Sequence, residues 1–149
     1  MKDALGAPVA RDVVVFKGHP MVSSLHPRTI EVTTEDELTE RGDCVIGVGA
    51  DKGCAQLSQP VKEGLKTTGS RVTLRIVVGG ESFELRASGD PGLELSHPHD
   101  IVIRKSGFLS DRTLVVRASA ASMDLPRGMV RRLRDPSTVG RLEIEVAVP

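Results

Sequence analysis

The sequence has no tryptophan, no tyrosine and no asparagine, only three phenylalanines, and only two glutamines, Gln56 and Gln59. With Phe16, Phe83 and Phe108 as the only aromatics, base-stacking platforms for nucleic acid are nearly ruled out. Scarcity of heat-labile amides gives the composition a thermophile leaning, although its arginine-over-lysine bias, 14 to 6, can reflect base composition alone. No apolar run approaches the roughly 18 residues that a membrane-spanning helix needs. The opening MKDALGAPVARD has no apolar core of secretory type. A cytoplasmic protein is therefore expected. Cys44 and Cys54 allow one disulfide, but two buried free thiols are the plainer reading.

What is present fits one globular domain. A chain of 149 residues, 39% hydrophobic and 27% charged, can bury roughly 70% of the surface its unfolded chain exposes. Twenty basic side chains balance twenty acidic ones, unevenly along the chain. Residues 1–50 carry a net −3, residues 51–100 a net −1 and residues 101–149 a net +4. A basic final third allows a local anionic partner without requiring one.

The dominant hydrophobic period is two. Val13–Phe16, Thr29–Thr33, Cys44–Val48, Arg71–Val78, Ser82–Ser88, Ile101–Arg104, Thr113–Arg117 and Leu142–Val148 read as strands bounded by Gly, Pro, Asp or Ser. Gly79-Gly80 signals a two-residue hairpin turn. SQPVKEGLK, opening on Ser58 with Pro60 in its first turn, predicts a short helix. DLPRGMVRRLRDP predicts a second, capped by Asp124, with Leu125, Met129, Val130 and Leu133 on its apolar face and Arg127, Arg131 and Arg134 opposite. The expectation is mainly β: a two-sheet β-sandwich of about eight short strands with two short helices, rather than a parallel α/β sheet. Residues 13–149 form the domain and residues 1–12 an N-terminal extension. No internal repeat and no linker stand out.

Six features occur in order: FKGHP, a further histidine at His26, LTERGDCVIGV, HDIVIRKSGF, DRTLVVRA and ASMDLPRGMVRRLR. As a set, from about Val13 to Leu133, they resemble the archaeal family catalogued as domain of unknown function 371. That resemblance implies an archaeal cytosolic protein with a jelly-roll-like sandwich. It implies no activity.

Three chemistries compete for the polar residues. His19, His26 and His97 each precede proline, which holds the backbone extended, and His97 and His99 fall on one side of such a chain. With Asp43 and Asp100 these four histidines can be written as a site for zinc or another transition metal, and so as a metal-dependent, hydrolase-like enzyme. No HExxH or Cys-x-x-Cys spacing supports it, and histidines beside proline also cap turns.

Arg104, Lys105, Ser106 and Arg112 are the donors that hold phosphate or carboxylate, flanking what reads as a hairpin turn. His97 and His99 would line that site, and Lys52 of VGADKGCAQL would point toward it. The arginine face of the second helix would extend the patch to an RNA backbone, bound in a salt-sensitive way. Solvated strand ends are the plainer alternative.

Covalent catalysis by Cys44 beside a histidine is weaker, because CVIGV reads as a core strand and Ser106 lacks a Gly-x-Ser-x-Gly elbow. The leading expectation is binding of a small anionic or phosphorylated ligand, or of an RNA backbone. The alternatives are the metal-dependent enzyme and a non-catalytic homodimer built on exposed strand edges.

Overall fold

A computed structural model describes residues 9–38 and 42–149. Its elements are β1 (Val9–Lys17), β2 (Thr29–Thr33), β3 (Val45–Gly47), α1 (Gln59–Leu65), β4 (Arg71–Val78), β5 (Glu81–Ser88), β6 (Asp100–Arg104), β7 (Thr113–Val115), α2 (Arg127–Leu133) and β8 (Val139–Ala147). The expected extension falls largely outside the described residues, over 1–8, while Val9–Asp12 already pair with β8.

The chain is mainly β, in two four-stranded sheets. One sheet is antiparallel in the order β1-β8-β4-β5; the other runs β3-β2-β6-β7. In the second, β2 and β6 are antiparallel, whereas β2–β3 and β6–β7 are parallel. These parallel pairs do not confirm a jelly-roll path. They also remove the expected hairpin between Arg104 and Arg112, because the segment 105–112 crosses back to start β7 beside Val102.

Alternation works as the period-two pattern requires. On β4, Val72, Leu74, Ile76 and Val78 face the core, while Arg71, Thr73 and Arg75 face outward. Ile30, Val32, Ile101 and Ile103 supply the opposing sheet. Gly79 has φ of +61°, and Val78 pairs with Glu81, which makes the two-residue turn read from Gly79-Gly80. Val61 and Leu65 of α1, and Met129, Val130 and Leu133 of α2, join the same core. Asp124 does not cap α2, whose N-cap is Pro126; its carboxylate accepts from the N–H of Ala121 and closes the preceding 3₁₀ turn.

The structure reveals a repeat that the sequence reading lacked. The order β1-β2-β3-α1-β4 recurs as β5-β6-β7-α2-β8, and each sheet order is unchanged when the two sets are exchanged. Local hydrogen bonds repeat as well. Lys17 bridges Val48 as Ser88 bridges Val116. The N–H groups of Leu25 and His26 donate to the carbonyl of Asp43, as those of Ser96 and His97 donate to that of Asp111. Ser24 and Leu95, at matching positions, have φ of 53° and 52°. The molecule thus has an internal twofold axis. Only positions on that axis pair with their own equivalents: Glu31 with Val102 on one sheet and Arg75 with Glu143 on the other.

The bridges at Lys17 and Ser88 close the two sheets at both sides. The strand edges beyond them are sealed too. Val15 exchanges backbone and side-chain hydrogen bonds with Asp51, and Arg86 does so with Ser119. Over these stretches the edges expected for homodimer assembly are occupied.

The largest core side chain depends on two absent ones. The Phe16 ring lies against Gly47 and Gly140, where a Cβ on Gly140 would stand 2.5 Å from the ring. The second half places Ala87, Val115 and Val72 at the equivalent positions. Volume has moved from one strand to two others. We expect Gly140→Ala to lower the unfolding free energy by about 1–3 kcal/mol, and Phe16→Leu in the same chain to recover part of that loss. Chemical denaturation of the single and double variants measures both.

Candidate functional site

The outer face of β2 and β6, at the twofold axis, carries a two-lobed groove. Thr29, Glu31 and Thr33 alternate outward on β2 because Ile30 and Val32 are committed to the core. Their cross-strand partners are Arg104, Val102 and Asp100. Described residues between β2 and β3, among them Glu35, Glu37 and Cys44, line one side, and Ser106, Phe108 and Arg112 of the 105–112 loop line the other.

The first lobe, a cavity of about 370 Å³, is lined by His26, Arg28, Glu31, Arg104, Ser106 and Arg112, with Phe108 at its rim. The second, about 380 Å³, is lined by Glu31, Glu35, Glu37, His97, His99 and Asp100. Glu31 and Cys44 belong to both walls. One lobe is therefore rich in guanidinium groups and the other in carboxylates.

Loop 105–112 holds Arg104 in place. Arg104 Nε donates to Thr113 Oγ1 at 2.8 Å and its terminal nitrogen to Ser110 Oγ at 3.3 Å. Its guanidinium carbon stands 4.9 Å from the centroid of the Phe108 ring. Thr113 Oγ1 also accepts from the Ser110 N–H and donates to the Phe108 carbonyl, so one buried hydroxyl organises the loop. Arg112 pairs with Asp100 at 3.1 Å. Burial and the neighbouring Arg112 charge both weaken the hold of Arg104 on its proton. The two guanidinium groups are thus held close, and of the two only Arg112 has a carboxylate partner among the described residues. Arg28 is exposed and makes no side-chain hydrogen bond or ion pair with any described residue.

Three of the four histidines spend a ring nitrogen on capping turns. His26 Nδ1 accepts the N–H groups of Arg28 and Thr29, His97 Nδ1 those of His99 and Asp100, and His19 Nδ1 that of Met21. A neutral imidazole has one nitrogen lone pair. With that lone pair given to the backbone, the Nε2 of a neutral ring is left as a donor. His99 Nδ1 meets Thr34 Oγ1 at 2.6 Å. Among the described residues, no group of three or more His, Cys, Asp or Glu is placed to hold a metal ion. What the residue types suggested is turn capping by His-Pro.

Other expected participants lie elsewhere. Lys52 is held by Asp12 at 2.6 Å and by the Val13 carbonyl at 2.8 Å, on β1. His19 sits beside the end of α2, its N–H donating to Leu133. Asp43 contributes its carbonyl, to Leu25 and His26. Lys105 approaches Asp124 at 3.9 Å. Ser106, by contrast, lines the first lobe as expected, and its hydroxyl accepts from the Phe108 N–H.

Two of the three arginines expected on the polar face of α2 are occupied with backbone carbonyls. Arg127 donates to five carbonyls, those of Ser23, Ser24, Ser122, Met123 and Leu125, and Arg134 donates to that of Val22. They tie α2 to the His19–Leu25 loop.

Neither cysteine is set up as a nucleophile. Both are free thiols. Burial, then the Glu31 charge, raises the Cys44 thiol above its usual range, and burial pushes Cys54 up to about 12. Glu31, Arg28, Phe108 and Thr113 are the participants that sequence reasoning missed. Glu31 alone left a signal, as the charged residue alternating between Ile30 and Val32.

Comparison with known proteins gives the same extent as the fold. A family model described as Domain of unknown function (DUF371) matches residues 14–147. An uncharacterized protein of Methanocaldococcus jannaschii is 37% identical over 123 residues, covering 83% of this chain and 90% of that protein.

Burial, and then the Asp100 charge, raises the Glu31 carboxyl to about 7, against the opposing pull of Arg112 and Arg104. A raised folded value favours the neutral form. The resulting stabilisation is full below the ordinary value of 4.5 and is lost as pH rises through about 7. Between those limits the unfolding free energy should fall by at most about 3 kcal/mol on this account, and the Glu31→Gln variant should lack that component. Denaturant titrations from pH 4.5 to 8 on both proteins check it.

Proposed function

Starting from the fact that the chain belongs to the Domain of unknown function (DUF371) family, we propose that it binds a small oxyanion in the guanidinium-lined lobe. The observation that carries this reading is the convergence of Arg28, Arg104 and Arg112 on one cavity, with Arg28 uncommitted and Arg104 pre-oriented by Thr113 and Ser110. His26, with its proton on Nε2, adds a neutral donor to the same wall. Planar guanidinium forks are matched to phosphate and carboxylate, and a rigid support reduces what must be ordered on binding.

A small ligand fits better than a nucleic-acid backbone. The basic lobe adjoins Glu35, Glu37 and Asp100, which would repel the next phosphates of a polyanion. Two of the three helical arginines that would extend the track, Arg127 and Arg134, are bonded to carbonyls.

Inorganic phosphate is the direct probe. Calorimetric titration should show saturable binding, and Arg28→Ala should weaken it at least about tenfold, as loss of a charge-assisted hydrogen bond does. The thermal midpoint of Arg28→Ala should match the parent, since that side chain has no described partner. Absence of phosphate binding, or equal affinity in both proteins, would overturn the assignment.

A further inference from the structure

A site built only from donors takes any oxyanion of suitable size. This lobe also contains an acceptor. Glu31 lines it beside Arg104 and Arg112, largely buried, and its carboxylate accepts no hydrogen bond from any described residue. Resting on the oxyanion reading above, we infer that the groove selects an oxyanion that brings its own proton, with the Glu31 carboxylate as the acceptor. Inorganic phosphate and singly protonated phosphate monoesters belong to that class; sulfate and phosphodiesters do not.

Three observations support the assignment. The first is that the other groups facing Glu31 are already committed. From β6, Asp100 is bonded to Arg112 at 3.1 Å and has His97 Nε2 at 3.9 Å, and Arg104 is bonded to Thr113 and Ser110. Before β3, Cys44 is a neutral thiol, and before β2, His26 caps its own turn. Across the groove, Glu35 and Glu37 belong to the other lobe.

The second observation is the position of Glu31 on the twofold axis. Its equivalent in the other half is Val102, directly opposite. The same strand position thus accepts an apolar side chain, and the fold has no need of a carboxylate there. The third is cost. A bare oxyanion held by Arg104 and Arg112 meets like charge at Glu31 and leaves a buried acceptor unpaired. A ligand P–OH removes both penalties by donating to it. This is selection against the wrong anion as well as for the right one.

The test compares sodium phosphate with sodium sulfate by calorimetry on the full chain, at pH 8 and constant ionic strength. There Glu31, which titrates at about 7, is mainly ionised. Phosphate is then chiefly the dianion that keeps one P–OH, and sulfate has none. Phosphate should bind at least about tenfold more tightly than sulfate. In Glu31→Gln the amide donates to either anion, so the two affinities should converge to within about threefold.

Equal affinities in the parent protein would overturn the inference and leave the oxyanion reading intact. So would a phosphate preference that survives in Glu31→Gln. Failure of both anions to bind the parent would overturn both readings. A thermal midpoint for Glu31→Gln at or above that of the parent confirms that altered binding is not unfolding.

Discussion

The molecule rests on antiparallel pairing across its twofold axis, β4 with β8 and β2 with β6. Each half consists of three strands, a helix and a fourth strand, with apolar side chains on one face of each sheet portion. Alone, neither half has the strand that joins its two members of the antiparallel sheet, since β8 lies between β1 and β4, and β4 between β8 and β5. Exchange across the axis supplies it. Ile30 and Val32 from one half, Ile101 and Ile103 from the other, and Leu74, Ile76, Leu142 and Ile144 of the opposite sheet form one cluster. The buried surface therefore belongs to the pairing of halves, and every later feature inherits that geometry. Phe16 shows how strict the constraint is. It reaches the shared interior only because Gly47 and Gly140 lie under its ring, and its counterpart Ala87 is small because Val115 and Val72 are not.

A symmetric scaffold makes its own asymmetries readable. Positions that face the core keep apolar character in both halves, Ile30 with Ile101 and Leu74 with Leu142. Positions that close turns keep a common device, as the ring Nδ1 atoms of His26 and His97 each accept two backbone N–H groups. On the outer face of β2 and β6 the equivalents differ in charge: Thr29 matches Asp100, Glu31 matches Val102, and Thr33 matches Arg104. Backbone demands there are the same in both halves, so the fold does not require these particular side chains. Polar groups released from structural duty, gathered in one groove, are what a ligand site consists of.

Much of the fold was legible because alternation is a local property. TIEVT and RVTLRIVV state their own inner and outer faces, and GG between two runs states a hairpin. The repeat was not legible, because what the halves share is backbone path and summed volume. One half has Phe, Gly and Gly where the other has Ala, Val and Val, and the crossover spans 34–44 in the first and 105–112 in the second. The doubled His-Pro, at His26 and His97, was the visible trace, and its residue types also suggest a metal site. Parallel pairing of β6 with β7 also escaped, since two strands eight residues apart look like a hairpin until register is known. Arg104 and Arg112 were recognisable as donors by type alone. Arg28, Phe108 and Thr113 were not, because their part in the site comes from the crossing loop, which no period describes.

The same face explains why charge accumulates where burial makes it unfavourable. Glu31 is held near neutral pH by desolvation and by Asp100, while Arg104 and Arg112 sit close enough to oppose each other. None of these strains is relieved by a hydrogen bond within the described residues between Glu31 and either arginine. Valine at the equivalent position shows that an apolar alternative is available to the strand, and it would leave both arginines with one fewer opposing charge. Retaining a carboxylate there lowers the stability of the empty groove and raises its dependence on what fills it. An oxyanion bound as proposed would offset the repulsion between the guanidinium groups, and a proton on it would give the carboxylate a partner. Recognition and local instability are two descriptions of one arrangement of charges on the axis.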